Sequence, residues 1–254
     1  MKALILAAGY ATRLYPLTLN TPKPLLKLQG RPIIDYIMDK IEQVGDVDQI
    51  SIITNNKFYN QFDEWLTPKR SYSPTRYKLL NDCSKTVEDR LGAIGDIHLA
   101  VEQSMINDDL LIVGGDNLFD FNLNDFVRFA LDNKPNHSVC LYLPNNHTNL
   151  SRFGIAQINE FAQITGFEEK PQTPKSNLIA TCIYFIPKEK LYLIHKYLSA
   201  GHNKDAPGSY ISWLVKHESV YGKICDGSWF DLGDFDAISE ALIYLNGHSL
   251  ISGK

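Results

Sequence analysis

The chain has 254 residues, of which 44% are hydrophobic and 21% are charged, an ordinary composition for a globular protein. This length suffices for one large α/β domain with a substantial buried core. The net charge of −4 and the absence of any run of lysines and arginines argue against nucleic-acid binding, and no apolar stretch reaches the roughly 20 residues that a membrane helix needs.

In the first half of the sequence, short apolar segments alternate with amphipathic ones. The opening apolar run ends at Gly9 and Arg13 follows closely, so the run is too short for a signal peptide and predicts a first strand. This alternation predicts an α/β fold with a mostly parallel sheet and helices on both faces. The predicted strands are residues 3–8, 49–54, 77–80, 110–113 and 138–143, and the predicted helices are residues 31–44, 58–66, 91–103 and 123–132.

The second half of the sequence is richer in strands and less regular. Two apolar segments, residues 154–158 and 163–168, flank Asn159 and Glu160 and predict a hairpin. No linker rich in Gly, Ser or Pro separates the halves, so we expect a single domain, residues 1–254, with halves 1–145 and 146–254 on the two sides of a cleft. The remaining predictions are a strand at 179–186 and helices at 188–198, 209–217 and 233–245.

The cysteines and histidines do not form a recognisable metal or disulfide pattern. The four cysteines are far apart in sequence and have no C-x-x-C spacing, and the seven histidines are scattered. We therefore expect separate reduced thiols, as is usual in a cytoplasmic protein, and no zinc site. The cysteines are Cys83, Cys140, Cys182 and Cys225.

The segment after the first predicted strand carries small residues and cations. The strand turns at Gly9, Thr12 and Arg13 follow, and two prolines then flank Lys23. Backbone N–H groups and positive charge at a sheet edge suit a polyphosphate. The segment does not match the Walker A pattern G-x-x-x-x-G-K-[ST]. It does not match the dinucleotide-binding pattern G-x-G-x-x-G either.

This segment reads L-A-A-G-Y-A-T-R-L-Y-P-L-T over residues 6–18 and P-K-P-L over residues 22–25. It resembles the signature of the sugar-1-phosphate nucleotidyltransferases, the group that includes glucose-1-phosphate thymidylyltransferase, which reads L-A-A-G-x-G-T-R-L-x-P-L-T and then P-K-P-L. Ala11 stands where the family usually has its second glycine. We expect the methyl group of Ala11 to limit φ to negative values and to affect the fine geometry of the loop, but to be tolerated because it is the smallest such change.

The resemblance implies a Rossmann-like nucleotide-diphospho-sugar transferase fold with a β-rich acceptor subdomain. It also implies that a sugar 1-phosphate attacks the α-phosphorus of a nucleoside triphosphate and releases pyrophosphate. The first half then binds the nucleotide, and the second half binds the sugar phosphate and completes the metal site. Arg13 and Lys23 are the implied catalytic cations, and the loop residues implied to bind substrate are Ala8, Gly9, Tyr10, Ala11 and Thr12.

Two aspartates are the implied ligands of a Mg²⁺ cofactor. Asp116 follows a predicted buried strand and two glycines, as in the family's strand followed by G-D-N, and is also an implied catalytic residue. Asp231 lies in a segment that matches the family's W-x-D-x-G. Mg²⁺ binds in proteins through one or two carboxylates together with substrate phosphates. From the residues alone, Asp116 equally suits a turn at a strand end, and Asp234 suits the N-cap of the last helix.

The acceptor and base sides carry weaker signals. Residues 168–171 read E-E-K-P, as in the family, which implies that Glu169 binds sugar hydroxyls and Lys170 the sugar phosphate, while Gly154 matches a glycine whose N–H contacts the sugar. On the base side, Asn81 could read a base edge and Gly92 could let a base stack on the backbone. Gly92 could equally be a helix start.

Alternatives to a sugar-phosphate enzyme remain. One is a CTP-dependent cytidylyltransferase that acts on phosphocholine or another non-sugar phosphate, and another is a catalytically silent nucleotide-binding subunit. The lack of further glycines disfavours a Rossmann oxidoreductase. The expected partners are a nucleoside triphosphate and a sugar 1-phosphate, with a homo-oligomer as in much of the family. Some relatives carry a C-terminal β-helix acyltransferase domain, and we expect no such second activity.

Overall fold

The fold is seen in a computed structural model that describes residues 1–144 and 148–248. The strands within these ranges are β1 (Lys2–Leu6), β2 (Lys27–Leu28), β3 (Arg31–Pro32), β4 (Gln49–Thr54), β5 (Tyr77–Asn81), β6 (Leu110–Gly114), β7 (Asn117–Phe119), β8 (His137–Tyr142), β9 (Gly154–Ile158), β10 (Ile164–Glu169), β11 (Leu178–Ile186), β12 (Val220–Ile224) and β13 (Trp229–Asp231). The helices are α1 (Ile33–Glu42), α2 (Tyr59–Tyr72), α3 (Ala93–Gln103), α4 (Leu123–Asp132), α5 (Tyr192–Ser199), α6 (Pro207–His217) and α7 (Phe235–Gly247).

A single nine-stranded sheet includes strands from both halves of the sequence. β5, β4, β1 and β6 lie side by side and are parallel. β11 is antiparallel to β6 and also pairs with β8 and β9, while β12 extends the sheet beyond β8 and β10 extends it beyond β9. Among these described strands only β10 and β11 run against the others, so the predicted α/β fold with a mostly parallel sheet is confirmed.

The core has two layers because the side chains of the buried strands alternate between the two faces of the sheet. In β1, Ala3 and Ile5 face the layer that contains residues of α1, α2, α4 and α7, and Leu4 faces the layer that contains residues of α3, α5 and α6. β6 and the three central residues of β1 are buried between these layers, as expected for parallel strands with helices on both faces. None of the helices in the described ranges is long and apolar enough to cross a membrane.

Several element boundaries differ from the prediction. The predicted helix 31–44 begins only at Ile33, because residues 31 and 32 pair with β2. The predicted helix 58–66 continues to Tyr72 and contains Pro68, which removes only one backbone donor. Around that proline, hydroxyl groups of Thr67 and Ser71 donate to carbonyls one turn earlier. The predicted helix 188–198 is a short 3₁₀ turn, Lys188–Lys190, followed by α5.

The prediction missed β2, β3, β7, β12 and β13. All but β12 have only two or three residues, too few to show a period. β12 was missed because Gly222 weakens its strand pattern. The glycine is explained by close packing, since a Cβ there would lie 2.5 Å from the side chain of Leu141. The hairpin at Asn159 is confirmed, since β9 and β10 are antiparallel neighbours. The expected boundary between the halves, at 145 and 146, lies outside the described residues.

All four cysteines are free thiols, as expected, but two of them are not separate. The Sγ atoms of Cys140 and Cys225 lie 2.7 Å apart in the core. The sequence spacing of 85 residues gave no sign of this contact, because it depends on the pairing of β8 with β12.

A buried acid is present in the first turn of α3. Asp96 is 6% exposed, and its Oδ1 has no hydrogen-bond partner among the described residues. Burial, and then the negative charges of Asp82 and Asp205, raise the pKa of Asp96 to about 8. The folded chain therefore keeps a proton on Asp96 at neutral pH.

Asp96→Asn should remove a pH-dependent loss of stability. The unfolded chain releases the Asp96 proton near pH 3.9, whereas the folded chain holds it up to about pH 8, so this group lowers the unfolding free energy as the pH rises between these values. Asparagine cannot ionise, and we expect the variant to gain on the order of 2–4 kcal/mol relative to the parent between pH 4 and 8. Urea unfolding at several pH values measures this difference. The exposed helix residue Asp125 is the control, since Asp125→Asn should follow the parent. Parallel stability curves for the parent and Asp96→Asn would contradict the assignment.

Candidate functional site

The carboxyl ends of β1 and β6 open into one pocket. These strands are parallel, and their last residues, Leu6 and Gly114, are directly paired. The chain then leaves both strands on the same edge of the sheet, so Gly9 and Asp116 line a common pocket of about 220 Å³. Its lining residues are Leu6, Ala7, Gly9, Ala11, Arg13, Lys23, Pro24, Gly115 and Asp116.

Side chains from outside the loop fix its backbone. Asn55 donates from Nδ2 to the carbonyl of Ala8 over 2.9 Å, and Thr18 donates from Oγ1 to the carbonyl of Ala11 over 2.7 Å. Tyr10 is 6% exposed and its hydroxyl lies 3.2 Å from Oγ of Ser84, so its ring is packed inside rather than presented to the pocket. Thr12 is exposed at the start of a 3₁₀ turn.

The backbone at Ala11 differs from the expectation. Ala11 has φ 47° and ψ 44°, a left-handed conformation, so the expectation that its methyl group limits φ to negative values is wrong. The conformation is the one that glycine adopts without strain. The loop therefore keeps a shape suited to glycine although alanine occupies the position.

A cation and a carboxylate meet at the floor of the pocket. Nζ of Lys23 donates to Oδ2 of Asp116 over 2.6 Å, and the side chain of Lys23 is 11% exposed. Burial opposes ionisation of Asp116, but the charge and the hydrogen bond of Lys23 outweigh it and hold the pKa of Asp116 below its usual range. Arg13 is more exposed and adds positive charge to the same pocket.

A second carboxylate lies beside the first. β13 pairs with β7, which places Asp231 opposite Asn117, and the N–H of Leu232 donates to the carbonyl of Asp116 over 3.2 Å. Burial and then the charge of Asp116 raise the pKa of Asp231 to about 6. No cluster of three or more His, Cys, Asp or Glu suited to a metal occurs in the described ranges. Asp116 and Asp231 are thus the pair that could hold a divalent cation together with ligand oxygens.

Asp234 has the structural role that its sequence position suggested. Its Oδ1 accepts from the N–H of Ala237 over 3.0 Å at the start of α7, and its Oδ2 pairs with Arg152 at 2.5 Å. Arg152, which the sequence analysis did not identify, also lines a larger pocket of about 440 Å³ that extends from Asp231. Nothing in the sequence around Arg152 distinguishes it from a surface cation.

Glu169 is seated on two glycines. At Gly154, a Cβ would lie 3.1 Å from Oε2 of Glu169 and 2.6 Å from the ring of Phe167. At Gly208, in the first turn of α6, a Cβ would collide with Oε2 of Glu169. Burial raises the pKa of Glu169, and the charge of Lys170 opposes that rise. The sequence analysis did not identify Gly208. The available signal was a glycine, a poor helix former, directly after the proline that begins a helix.

Lys170 extends from the same strand end into solvent. Its side chain is 61% exposed, and Nζ lies 3.8 Å from Oε1 of Glu169. Its backbone has φ 50°, and its N–H donates to the carbonyl of Phe153 over 3.0 Å. The predicted pair of Glu169 and Lys170 is therefore adjacent in space, with the acid partly buried and the base exposed.

The two residues predicted on the base side have local partners. Nδ2 of Asn81 donates to Asn56 over 3.1 Å, and its Oδ1 accepts from the N–H of Cys83 over 2.8 Å. Gly92 has φ 78°, and a Cβ there would lie 2.7 Å from the carbonyl of Lys204. Gly92 lies at the start of α3, the position that the alternative interpretation gave it.

A thiol that the sequence analysis did not single out lies next to the carboxylates. Cys182 is in β11 with φ 59°, and its Sγ would lie 3.2 Å from a Cβ added at Gly114. Burial and then the charges of Asp116 and Asp231 raise the pKa of Cys182, so the thiol stays protonated. No motif marks this cysteine in the sequence.

The comparisons with known proteins agree on one family. The profile of the nucleotidyl transferase family matches residues 2–246. The bifunctional protein GlmU of Methanocaldococcus jannaschii is 30% identical over 245 residues, which cover 96% of this chain and 54% of that protein. The chain thus spans about half the length of that relative.

Two further matches cover both chains almost completely. The UTP–glucose-1-phosphate uridylyltransferase AglF of Haloferax volcanii is 27% identical, over 92% of this chain and 91% of its own. The solved structure of a proposed glucose-1-phosphate thymidylyltransferase from Bacillus anthracis, in complex with sucrose, superposes with a TM-score of 0.84 at 25% identity, covering 100% of this chain and 98% of that one.

Ala11→Gly should stabilise the chain. Glycine adopts the left-handed conformation of this position without the steric cost that alanine bears, so we expect the unfolding free energy to rise by about 1 kcal/mol. Ala162→Gly, at φ 59°, should act in the same direction. Ala200 is exposed with φ −80°, and Ala200→Gly should give no gain. Urea unfolding of the three variants measures the differences. A loss of stability in Ala11→Gly equal to that in Ala200→Gly would contradict the strain at Ala11.

Proposed function

The chain belongs to the nucleotidyl transferase family, and we propose that it transfers a nucleoside monophosphate from a nucleoside triphosphate to a sugar 1-phosphate. The observation that carries this proposal is the meeting of Lys23, Asp116 and Asp231 at the end of β1 and β6, with Arg13 lining the same pocket. Phosphoryl transfer requires cations that gather the phosphate groups. It also requires carboxylates that can hold a divalent ion.

In the proposed reaction, a phosphate oxygen of the sugar 1-phosphate attacks the α-phosphorus of the nucleotide. The bond from that phosphorus to the pyrophosphate oxygen breaks, and pyrophosphate leaves with the electron pair. Lys23 and Arg13 hold the negative oxygens in line, so the chain acts by positioning and by charge. A general base is unnecessary, because a phosphate monoester with a second pKa of about 6 is largely dianionic at pH 7.

Mg²⁺ is the proposed cofactor, and the residues present fit it. Asp116 and Asp231 offer hard oxygen donors. Burial and then the charge of Asp116 raise the pKa of Asp231, and a divalent cation would offset that negative charge. When bound, the ion supplies positive charge to the phosphates. Asp231 also requires the pairing of β13 with β7, so the metal site depends on both halves of the sequence.

The acceptor is proposed to be a sugar 1-phosphate bound near Glu169 and Lys170. The partly buried carboxylate of Glu169 can accept hydrogen bonds from vicinal hydroxyls, and the exposed Lys170 can reach a phosphate at the anomeric carbon. The names of AglF and of the Bacillus anthracis structure both include glucose 1-phosphate, which favours a sugar over phosphocholine. The relatives' names differ in the nucleotide, so the base is left to measurement.

The first experiment measures pyrophosphate release with Mg²⁺, for UTP, dTTP, CTP and GTP, each against a panel of sugar 1-phosphates and phosphocholine. Release that requires one triphosphate and one sugar 1-phosphate supports the proposal and identifies the substrates. Release with phosphocholine alone would instead establish a cytidylyltransferase. A folded chain that binds a nucleotide but releases no pyrophosphate with any pair would be a silent binding subunit.

Asp116→Asn and Asp231→Asn should each lower the turnover more than about 100-fold, because each removes a charge from the proposed metal site. Asp234→Asn is the matched control: asparagine also caps helices, and this aspartate is assigned to the start of α7, so turnover should stay within a few-fold of the parent. Circular dichroism and urea unfolding establish that all three variants fold. Wild-type turnover in Asp116→Asn would refute the assignment of the metal ligands.

Gly208→Ala should weaken binding of the acceptor without affecting the nucleotide. The added methyl group would displace the carboxylate of Glu169, and we expect KM for the sugar 1-phosphate to rise about tenfold, the equivalent of one hydrogen bond to a charged group. KM for the nucleoside triphosphate should stay unchanged. Gly45 has no atom within 4 Å of a built Cβ, so Gly45→Ala is the control. An equal rise in both KM values would contradict a role for Glu169 on the acceptor side.

A further inference from the structure

Two thiols that take no part in the proposed reaction touch in the core. Cys140 is in the middle of β8 and Cys225 directly follows β12. Their Sγ atoms are 2.7 Å apart, which is within about 0.7 Å of the disulfide bond length of about 2.0 Å. Cys140 is 0% exposed and Cys225 is 7% exposed, so the contact is not an accident of two mobile surface side chains.

The backbone already holds the two residues in place. β8 and β12 are parallel neighbours, and the register pairs Lys223 with Cys140. Beyond the end of β12, the N–H of Cys225 still donates to the carbonyl of Leu141 over 2.9 Å. Both sulfur atoms belong to the same layer of the core. Bond formation therefore requires a small adjustment of two side chains and leaves the strand pairing intact.

We propose that Cys140 and Cys225 are a redox pair that forms an intramolecular disulfide on reaction with a small disulfide such as oxidised glutathione. Nothing in the motifs of the sequence or in the proposed transferase reaction uses these thiols. The bond would close a loop between residues 85 positions apart, and it would join β8 to the segment that follows β12.

Access favours Cys225 as the residue that reacts first. Cys225 lines an open pocket of about 330 Å³ that also includes Arg128 and Lys223, whereas Cys140 lies fully behind it. Burial and then the contact with Cys225 raise the pKa of Cys140, which disfavours Cys140 as the first thiolate. The entering reagent thus meets one thiol at the floor of a pocket, with the second directly behind it.

The chemistry is a balanced two-step thiol–disulfide exchange. The Cys225 thiolate attacks one sulfur of the small disulfide, the sulfur–sulfur bond of the reagent breaks, and one small thiolate leaves. The sulfur of Cys140 then attacks Sγ of Cys225, and the second small thiolate leaves. The two cysteines lose two electrons, the small disulfide gains them, and the two thiol protons end on the two released small thiols.

The disulfide would restrain the segment that leads from Cys225 to Asp231. Residues 226–228 connect Cys225 to Trp229, and the ring of Trp229 packs on Tyr142, which is two residues beyond Cys140, at 5.7 Å between centroids. A cross-link that closes a long loop restricts the unfolded chain. We expect the oxidised chain to unfold at a Tm roughly 5–15 °C higher than the reduced chain.

The test uses the full chain, first fully reduced and then exposed to oxidised glutathione over a range of ratios to reduced glutathione. The readouts are the number of free thiols, peptide mapping by mass spectrometry and the Tm. We expect a cross-linked peptide that joins Cys140 to Cys225, the loss of two of the four thiols, and a rise in Tm that dithiothreitol reverses. These readouts do not involve turnover, so they stand apart from the proposed function.

Matched cysteine variants make the result specific. Cys83→Ser and Cys182→Ser keep the pair and should oxidise as the parent does, whereas Cys225→Ser should form no cross-link and show no rise in Tm. If Cys225→Ser proves unstable, Cys225→Ala tests the same loss without adding a buried hydroxyl. Two results would overturn the proposal. One is glutathione adducts on Cys83 with no cross-link, and the other is a cross-link found equally among other cysteine pairs. A Cys140–Cys225 cross-link that leaves the Tm unchanged would overturn the stabilising role.

Discussion

The site depends on how closely the ends of β1 and β6 approach each other. The N–H of Gly115 donates to the carbonyl of Leu6 over 2.9 Å, and a Cβ at Gly115 would lie 2.6 Å from that same oxygen. Any side chain there would push the two strand ends apart. Since the strands end together, the loop that carries Arg13 and the turn that carries Asp116 open into one pocket. Gly115 thus serves the close approach of two strands.

The charges in the pocket follow from that approach. Two carboxylates that share a site cannot both ionise freely, and here the difference between them is set by Lys23. Lys23 forms its ion pair with Asp116 and keeps the pKa of that carboxyl low, while Asp231 experiences burial and the charge of Asp116 and has its pKa raised to about 6. The charge of Arg13 also acts on both acids, yet the pKa of Asp231 remains raised. A divalent cation would supply the balance, and this asymmetry is why the pair suits one.

The parts of the site that were predictable are those in which a local pattern fixes a position on the sheet. The apolar run before Gly9 and the run before Asp116 both had to be buried strands, and parallel strands end at one edge, so their meeting followed from the sequence. The rest depended on contacts between distant segments. The packing of Glu169 on Gly208, the pairing of β7 with β13 and the contact of Cys140 with Cys225 join residues that are 39, at least 110 and 85 positions apart. No local pattern encodes such a separation.

The backbone of the site is shaped by ties from its surroundings rather than by the preferences of its own residues. Three residues near carboxylates of the site, Ala11, Lys170 and Cys182, have a positive φ. L residues adopt such a φ only at a cost in free energy. Such conformations persist only where the structure around them determines them. At Ala11 the tie is the hydroxyl of Thr18, and at Lys170 it is the carbonyl of Phe153. Because the hydroxyl of Thr18 holds the carbonyl of Ala11, the loop keeps a left-handed backbone at a position where alanine replaces the family's usual glycine.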